Sequence, residues 1–491
     1  MILGEQTTPV PPNFEWVGWY AASTGLTRLR SRRCRSPIQI SKGETRILPH
    51  PHDFAMYREA VLVFLAMMAT YVILSFVGRR LKQNIPLAVL LFGSCVVGAA
   101  AGGFGFPLRH LIEGESGYIY INLVIFTGMI LLQVLKQSGA LDAISWDILV
   151  NFRRRPVVLF ILLTFMLFFP GMVTGVGTAG VLSTGIFAAL ILTTVGVPKL
   201  ETAAILALLT TFGASAPPIN IPALIISGGI NMPYEGFDTI LWVLTLPLGI
   251  FSIFYLGYRH FRVVSIEEIR ERIPEPRRQT FIMPYVPLIV VALLFVGIRS
   301  FPKWMPDLAT PLVFMIGAVV GLFTGKRVNL LGASKEAMRG GLFMVVALLF
   351  VVGTVVQITT LTGVKGLLVI GALTLGSFSS VLMYLAMGLS LPLLGGVLTH
   401  LGSAAILGVP FALALLTKNT IVVVAAISNV CVLSQLIPPS AVGGYFAQGV
   451  LDLKDYTPIL KKSLVPLIVT ILWSITVIIL AKYFGRAFVP Y

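Results

Sequence analysis

Charged residues are scarce in this 491-residue chain, at 11%, where an ordinary soluble domain carries about 25%. That scarcity excludes a water-soluble enzyme or binding module as the bulk of the molecule. Cysteine is scarcer still: Cys34, Cys95 and Cys431 are the only three, too few and too scattered for a disulfide scaffold or a thiolate metal site, and they receive no role. Asp and Glu are absent from every apolar run long enough to span a bilayer, and from the whole stretch between Pro170 and Lys199. A membrane-embedded enzyme needs a nucleophile, a metal cluster or a carboxylate pair at depth, and none is present. A channel needs a continuous polar or charged pore lining, which these runs do not offer.

Apolar sequence is what remains. Hydrophobic residues make up 56% of the chain and mean hydropathy is +0.92, values of an all-α polytopic membrane protein whose main partner is the lipid bilayer. The net charge of +16 does not imply nucleic acid, because the basic residues cluster in short segments between apolar runs, as the positive-inside rule expects. Residues 1–55 read differently: Arg28, Arg30, Arg32, Arg33 and Arg35 with several prolines and no spanning run predict a disordered basic tail, or a misread start with translation beginning at Met56.

Spans are expected near 60–78, 86–104, 119–136 and 156–171, then near 284–300, 310–325 and 341–358. Basic segments at Arg79–Lys82 and Arg153–Arg155 mark the cytoplasmic side for the first set, and Lys326, Arg327, Lys335 and Arg339 mark it for the second. The first three spans then run inward, outward, inward, and the later three run oppositely. Between the sets, residues 259–282 interleave arginines with Glu267, Glu268, Glu271 and Glu275. They read as a cytoplasmic interfacial helix or a plain solvated linker joining a first transmembrane repeat (56–258) to a second (283–491).

Residue matches support two inverted-topology repeats. Phe126, Gln133 and Gly139 recur as Phe350, Gln357 and Gly363 at an offset of 224; Pro170 recurs as Pro392 at 222; Pro217-Pro218 recurs as Pro438-Pro439 at 221. The Gly-Val-Pro at 196–198 and 408–410 falls out of this frame. A proline pair inside an apolar segment removes two backbone donors and stops a helix, freeing carbonyls at membrane depth, so re-entrant or broken helical hairpins are expected at both places. Breaks repeated once per half mark the substrate and ion site of a secondary transporter.

The candidate site residues follow from these breaks. In the first half they are Thr174, Gly175, Gly177 and Thr178, then Gly213, Ser215, Pro217, Pro218 and Asn220. In the second half they are Gly395, Gly396, Thr399, Gly402 and Ser403, then Asn429, Ser434, Gln435, Pro438, Pro439 and Ser440. Hydroxyl, amide and freed carbonyl oxygens can wrap a hard cation, and half-helix N-termini offer N–H groups to a carboxylate. Small residues also serve plain helix packing, His400 reads as a substrate contact, a proton carrier or a structural residue, and Lys418 as a snorkelling cation or an anion contact. With no carboxylate relay in the spans, sodium is the expected coupling ion rather than a proton, and no cofactor is expected.

Phe126-Thr-Gly-Met-Ile-Leu-Leu-Gln-Val-Leu-Lys-Gln-Ser-Gly139 and Leu436-Ile-Pro-Pro-Ser440 resemble the third-span region and the hairpin motif of large permease subunits of TRAP transporters, within the wider ion-transporter superfamily, over about residues 57 to 480. In the first half, Ala216-Pro-Pro-Ile-Asn220 stands where that family more often has Ile-Pro-Pro-Ser. The resemblance implies a scaffold with an elevator-type mobile region in the inner (cytoplasmic) membrane, sodium-driven import of an organic anion such as a dicarboxylate, and two partners: a small TRAP membrane subunit and a periplasmic or extracellular solute-binding protein. A one-component carboxylate carrier of the same superfamily is the alternative.

The inverted reading is directly testable. Ile112→Cys and Ser334→Cys variants are expected to react with a membrane-impermeant maleimide from opposite sides of the membrane; labelling from one side refutes the opposed directions.

Overall fold

The computed structural model describes residues 51–80, 85–273, 275–276, 281–301, 303–306, 308–339 and 343–489. Residues 1–50, which hold nearly all of the expected basic tail, and Arg277 and Arg278 of the expected linker lie outside the described residues. Among the described residues there are helices and no strands. Seven of those helices are long and apolar enough to cross a bilayer, or eight if one bent pair is joined.

The first half comprises α1 (Pro51–Arg80), α2 (Leu87–Ala101), α3 (Leu108–Ser116), α4 (Ile119–Gln137), α5 (Ala140–Phe152), α6 (Pro156–Thr174), α7 (Gly177–Thr194), α8 (Lys199–Gly213), α9 (Ile221–Gly229) and α10 (Asp238–Gly257). A short helix, α11 (Ile266–Arg272), follows. The second half comprises α12 (Val286–Ser300), α13 (Thr310–Gly321), α14 (Leu330–Ala337), α15 (Phe343–Leu361), α16 (Val364–Phe378), α17 (Ser380–Ser403), α18 (Val409–Ala414), α19 (Thr420–Cys431), α20 (Val442–Val450), α21 (Thr457–Ile479) and α22 (Ala481–Phe488). The expected spans fall on these helices with ends displaced by a few residues. Within the charged segment, α11 is capped by Ser265, which accepts from the Glu268 N–H at 3.2 Å.

The two halves repeat one order of elements. Gly139 and Gly363 both take positive φ, 82° and 76°, a conformation glycine adopts without strain. At Gly363 the chain turns by 78° from α15 into α16. A second turn with positive φ follows at Gly175 (66°) and at Thr399 (69°), and π-helical turns come next at Val181–Gly185 and Ala404–Gly408. Gly196-Val-Pro198 lies in the turn before α8, whereas Gly408-Val-Pro410 runs from the second π-helical turn into α18, so that out-of-frame match has no structural counterpart.

Contacts between the halves are exchanged pairwise. α2 packs on α15 as α13 packs on α4; α3 packs on α15 as α14 packs on α4; α8 packs on α20 as α19 packs on α9. A two-fold relation between halves produces such an exchange. α8 and α19 occupy the centre: from Glu201 to Gly213 and from Val422 to Cys431 every residue is buried. α1 lies at the other extreme, with Leu62, Leu65, Val72, Ile73 and Phe76 more than half exposed, an apolar surface suited to lipid.

The closest approach of α3 and α15 is made by Gly114, where a Cβ would lie 2.7 Å from the Gly353 carbonyl oxygen and 2.9 Å from the Thr354 Cα. Gly114→Val is expected to cost about 1–3 kcal/mol by forcing two backbones apart. Gly366→Ala, whose Cβ meets nothing within 4 Å, is expected to add about 0.5–1 kcal/mol through helix propensity. Thermal unfolding of the purified protein reads both, and equal effects would contradict this packing.

Candidate functional site

Both proline pairs follow helices that fill the buried centre; Pro217 is buried and Pro218 half-buried, whereas Pro438 and Pro439 are exposed. α8 ends at Gly213, and Ala214 to Asn220 form an irregular segment before α9; a 3-10 turn at Val432–Leu436 follows α19, and Ile437 to Ala441 precede α20. Pro217-Pro218 and Pro438-Pro439 are both joined by cis peptide bonds. Each irregular segment is braced by a tyrosine from the loop beyond it. The Tyr234 hydroxyl lies 3.3 Å from the Pro218 carbonyl and accepts from the Asn220 N–H at 3.1 Å, while the Tyr456 hydroxyl donates to the Leu436 carbonyl at 2.5 Å.

Sequence-predicted residues of opposite halves meet directly here. The Asn220 amide donates to the Ser428 hydroxyl at 2.8 Å and to the Ser215 carbonyl at 3.0 Å. Its Oδ1 caps α9 by accepting from the Ala223 N–H at 2.9 Å. The Ser215 hydroxyl donates to Asn429 Oδ1 at 3.1 Å, and the Asn429 amide donates to the Ser474 hydroxyl at 3.1 Å. Ser215, Asn220, Ser428, Asn429 and Ser474 are all fully buried, so these are hydrogen bonds of the low-dielectric interior, where satisfied networks order their surroundings.

The turn residues pack around this network. Gly175 faces Ile219 and Ile221, and a Cβ on Gly177 would lie 2.6 Å from Gln435 Oε1 and 3.0 Å from the Thr210 carbonyl. Gly213 abuts the Phe168 backbone, Gly395 abuts Ser434 and Ser403, and Gly396 abuts Ile437 and Pro438. The Ser440 N–H donates to the Gly396 carbonyl at 2.8 Å, tying the segment after the second proline pair to α17. Gly402 meets only Leu398 of its own helix and touches neither break. Thr178 is half-buried.

The predicted hydroxyls divide into two groups. Those of Thr174, Ser403 and Ser434 donate to carbonyls of Pro170, Leu391 and Cys431 at 2.7, 2.6 and 2.7 Å. Among the described residues, the buried Thr211 Oγ1, Thr399 Oγ1, His400 Nε2 and Gln435 Nε2 have no hydrogen-bond partner, although buried polar atoms are nearly always partnered. Thr211 Oγ1 and the Gln435 Cβ lie 3.5 and 3.7 Å from the position of a Cβ on Gly443, which sets these two side chains beside one another. Donors, acceptors and small residues converge there, an arrangement able to accept a polar solute or a dehydrated cation.

Ser474, Tyr234 and Tyr456 were missed at the level of sequence. The tyrosines carried a usable signal, since each lies at a nearly constant distance beyond its proline pair and after an Asn or Asp (Asn231, Asp452), residue types that favour the positive φ the structure shows there, 55° and 51°. Ser474 carried none. Asn122, buried in α4 with neither amide atom partnered among the described residues, was likewise passed over.

No family model and no curated protein matches the chain. Solved structures do. The Alcanivorax borkumensis YdaH transporter, of unusual topology, aligns with a TM-score of 0.55 at 16% identity over 78% of this chain and 90% of its own. Neisseria gonorrhoeae MtrF, of a class of antimetabolite efflux pumps, aligns with a TM-score of 0.54 at 15% identity over 88% of this chain and 95% of its own. The chain therefore has the fold of a multi-pass, all-helical membrane transporter.

Asn220→Leu removes the cap of α9 and both amide bonds, and is expected to destabilise by about 2–4 kcal/mol. Ser215→Ala removes one bond and is expected to cost about 1 kcal/mol. Thermal unfolding of the purified variants checks the order; an Asn220→Leu protein as stable as its parent refutes the bridge.

Proposed function

We propose that this chain is a secondary active transporter, the large permease subunit of a TRAP-type system of the inner membrane, importing an organic anion coupled to sodium. One observation carries the reading: the two helices that lead into the proline breaks, one per half, meet in the buried centre, and beside their satisfied network Thr211 Oγ1 and Gln435 Nε2 have no hydrogen-bond partner among the described residues. Half-helix N-termini at α9 and α20 suit a carboxylate, and carbonyl, hydroxyl and amide oxygens at the breaks suit sodium. The two sets of helices oppose each other across the membrane as inverted repeats, and the region bearing the breaks shifts in elevator fashion against the helices of α1–α4 and α12–α15. A small membrane subunit and a solute-binding protein supply the rest of the system.

The likeness to YdaH, described as a transporter, and to MtrF leaves room for a second reading of the same site, a one-component carboxylate carrier that needs no binding protein. Export rather than import is then open to it, since MtrF is described as one of a class of efflux pumps.

Proteoliposomes containing the chain alone, given labelled dicarboxylates with and without an inward sodium gradient, separate these readings. The TRAP reading expects no uptake until the small subunit and the binding protein are added; sodium-driven uptake by the chain alone supports the one-component carrier. Absence of transport under every condition, in either direction, overturns both. Replacing Pro217-Pro218 or Pro438-Pro439 by alanines is expected to abolish transport with membrane insertion intact. Gln435→Leu and Thr211→Val are expected to reduce transport at least about tenfold with stability unchanged or raised, because an unpartnered buried polar group contributes no bond to lose. Loss of stability in parallel with transport would assign those side chains a structural role instead.

A further inference from the structure

Away from the breaks, a cavity of about 400 Å³ opens where α10 ends and α21 begins. Arg259, His260, Lys461 and Lys462 line it with Tyr255, and Glu201 of α8 is its one carboxylate. Lys462 holds that carboxylate at 2.8 Å. Arg259 and Lys461 form no ion pair among the described residues, and both are exposed. Two lysines and an arginine around one neutralised carboxylate leave a net positive cavity. It lies at the end of α10 that leads into the charged segment read as cytoplasmic.

The walls leading out of the cavity are apolar. Phe251 and Tyr255 on α10 are 37% and 42% exposed, and Leu464, Val465 and Ile468 on α21 are 52%, 41% and 48% exposed. Phe251 and Tyr255 are four residues apart, and Ile468 lies four and three residues beyond Leu464 and Val465, so each set forms a stripe on one face. α10 and α21 pack on each other, and the two stripes begin at the mouth of the cation-lined cavity. A phosphate at the cavity and hydrocarbon along the stripes together describe one kind of molecule.

We propose that this cavity binds the headgroup of an anionic glycerophospholipid, with Arg259 and Lys461 engaging the phosphate and the acyl chains lying along the exposed faces of α10 and α21. Guanidinium suits a phosphate because its planar donors match two oxygens at once, and ammonium adds a compact charge. Basic pockets between membrane helices at the cytoplasmic side take such headgroups. Glu201 fixes Lys462 at the back of the cavity and keeps the excess charge at its mouth, where a lipid headgroup arrives.

Native mass spectrometry of the full chain, released from detergent with equal amounts of phosphatidylglycerol and phosphatidylcholine of the same acyl chains, tests this. Retention of phosphatidylglycerol is expected to exceed that of phosphatidylcholine roughly tenfold. An Arg259→Ala/Lys461→Ala variant is expected to bring the ratio near one, while Arg259→Lys/Lys461→Arg keeps the preference and shows that the site survives folding. Lys335→Ala/Arg339→Ala, which removes exposed cations elsewhere, is expected to leave it unchanged. Equal retention of the two lipids, or a preference that survives loss of Arg259 and Lys461, overturns the proposal. Binding of sn-glycerol 3-phosphate to lipid-free protein, lost in the Arg259→Ala/Lys461→Ala variant, assigns the cavity to a soluble phosphate and overturns the lipid source.

Discussion

A backbone N–H or C=O facing hydrocarbon without a partner costs several kcal/mol, and the fold is arranged around two places that would incur that cost. Each proline pair leaves carbonyls without a helical donor. The helices that lead into the breaks, α8 and α19, are buried along nearly their whole length, although the second pair itself, Pro438-Pro439, is exposed. The Ala216 and Ile437 N–H groups reach the Gly213 and Ser434 carbonyls, Tyr234 and Tyr456 bring hydroxyls to the Pro218 and Leu436 carbonyls beside the breaks, and the Ser440 N–H reaches back to Gly396. The more exposed helices, α1 above all, are set outside this centre and take up the contact with lipid.

The duplicated backbone does not carry duplicated chemistry. Positive φ at Gly175 and Thr399, the π-helical turns and the proline pairs recur, yet the polar side chains at the centre are unmatched. Asn220 corresponds to Ala441, Ser428 to Ala207, Asn429 to Leu208 and Gln435 to Ala214 at the offset of the proline pairs. Repetition of main-chain geometry with divergence of side chains produces one asymmetric site at the junction of two similar halves. Buried amides are costly unless satisfied, and here they satisfy each other across the halves, which keeps the two from packing in another register.

Much of this was legible in the sequence because apolar length, proline and glycine act locally. Fixed φ at proline, free φ at glycine and the length needed to cross a bilayer do not depend on neighbours, so Gly139 and Gly363 and both proline pairs could be matched before any contact was known. The ends of α1 and α13 were less legible, since apolar residues continue past helix ends at Gly321 and polar ones continue into the helix at Pro51. Within the charged range 259–282 the described residues include a short helix at Ile266–Arg272, and interleaved charges suit a solvated stretch of chain as well as a helix. Thr399 illustrates a different limit: a β-branched residue at φ 69° stands where the first half has glycine, and nothing in its own chemistry announces a turn.

Contacts across the centre tie the breaks to one another. Ser215 and Asn220 belong to the first irregular segment, while Asn429 and Ser428 end the helix that runs into the second; their hydrogen bonds span the two halves. Asn429 is also bonded to Ser474 of α21, and Trp473 beside it donates to the Val243 carbonyl of α10 at 3.2 Å. Displacing one break by an ångström or two lengthens bonds that the other break supplies, in an interior where each lost bond leaves an unsatisfied group. The two irregular segments therefore move as one body or not at all. Outside this network the ties between elements are fewer and single, such as the Tyr71 hydroxyl on the Val397 carbonyl at 2.6 Å and the Lys365 ammonium on the Gly229 carbonyl at 2.9 Å, so the hydrogen bonds concentrate rigidity where the two halves meet.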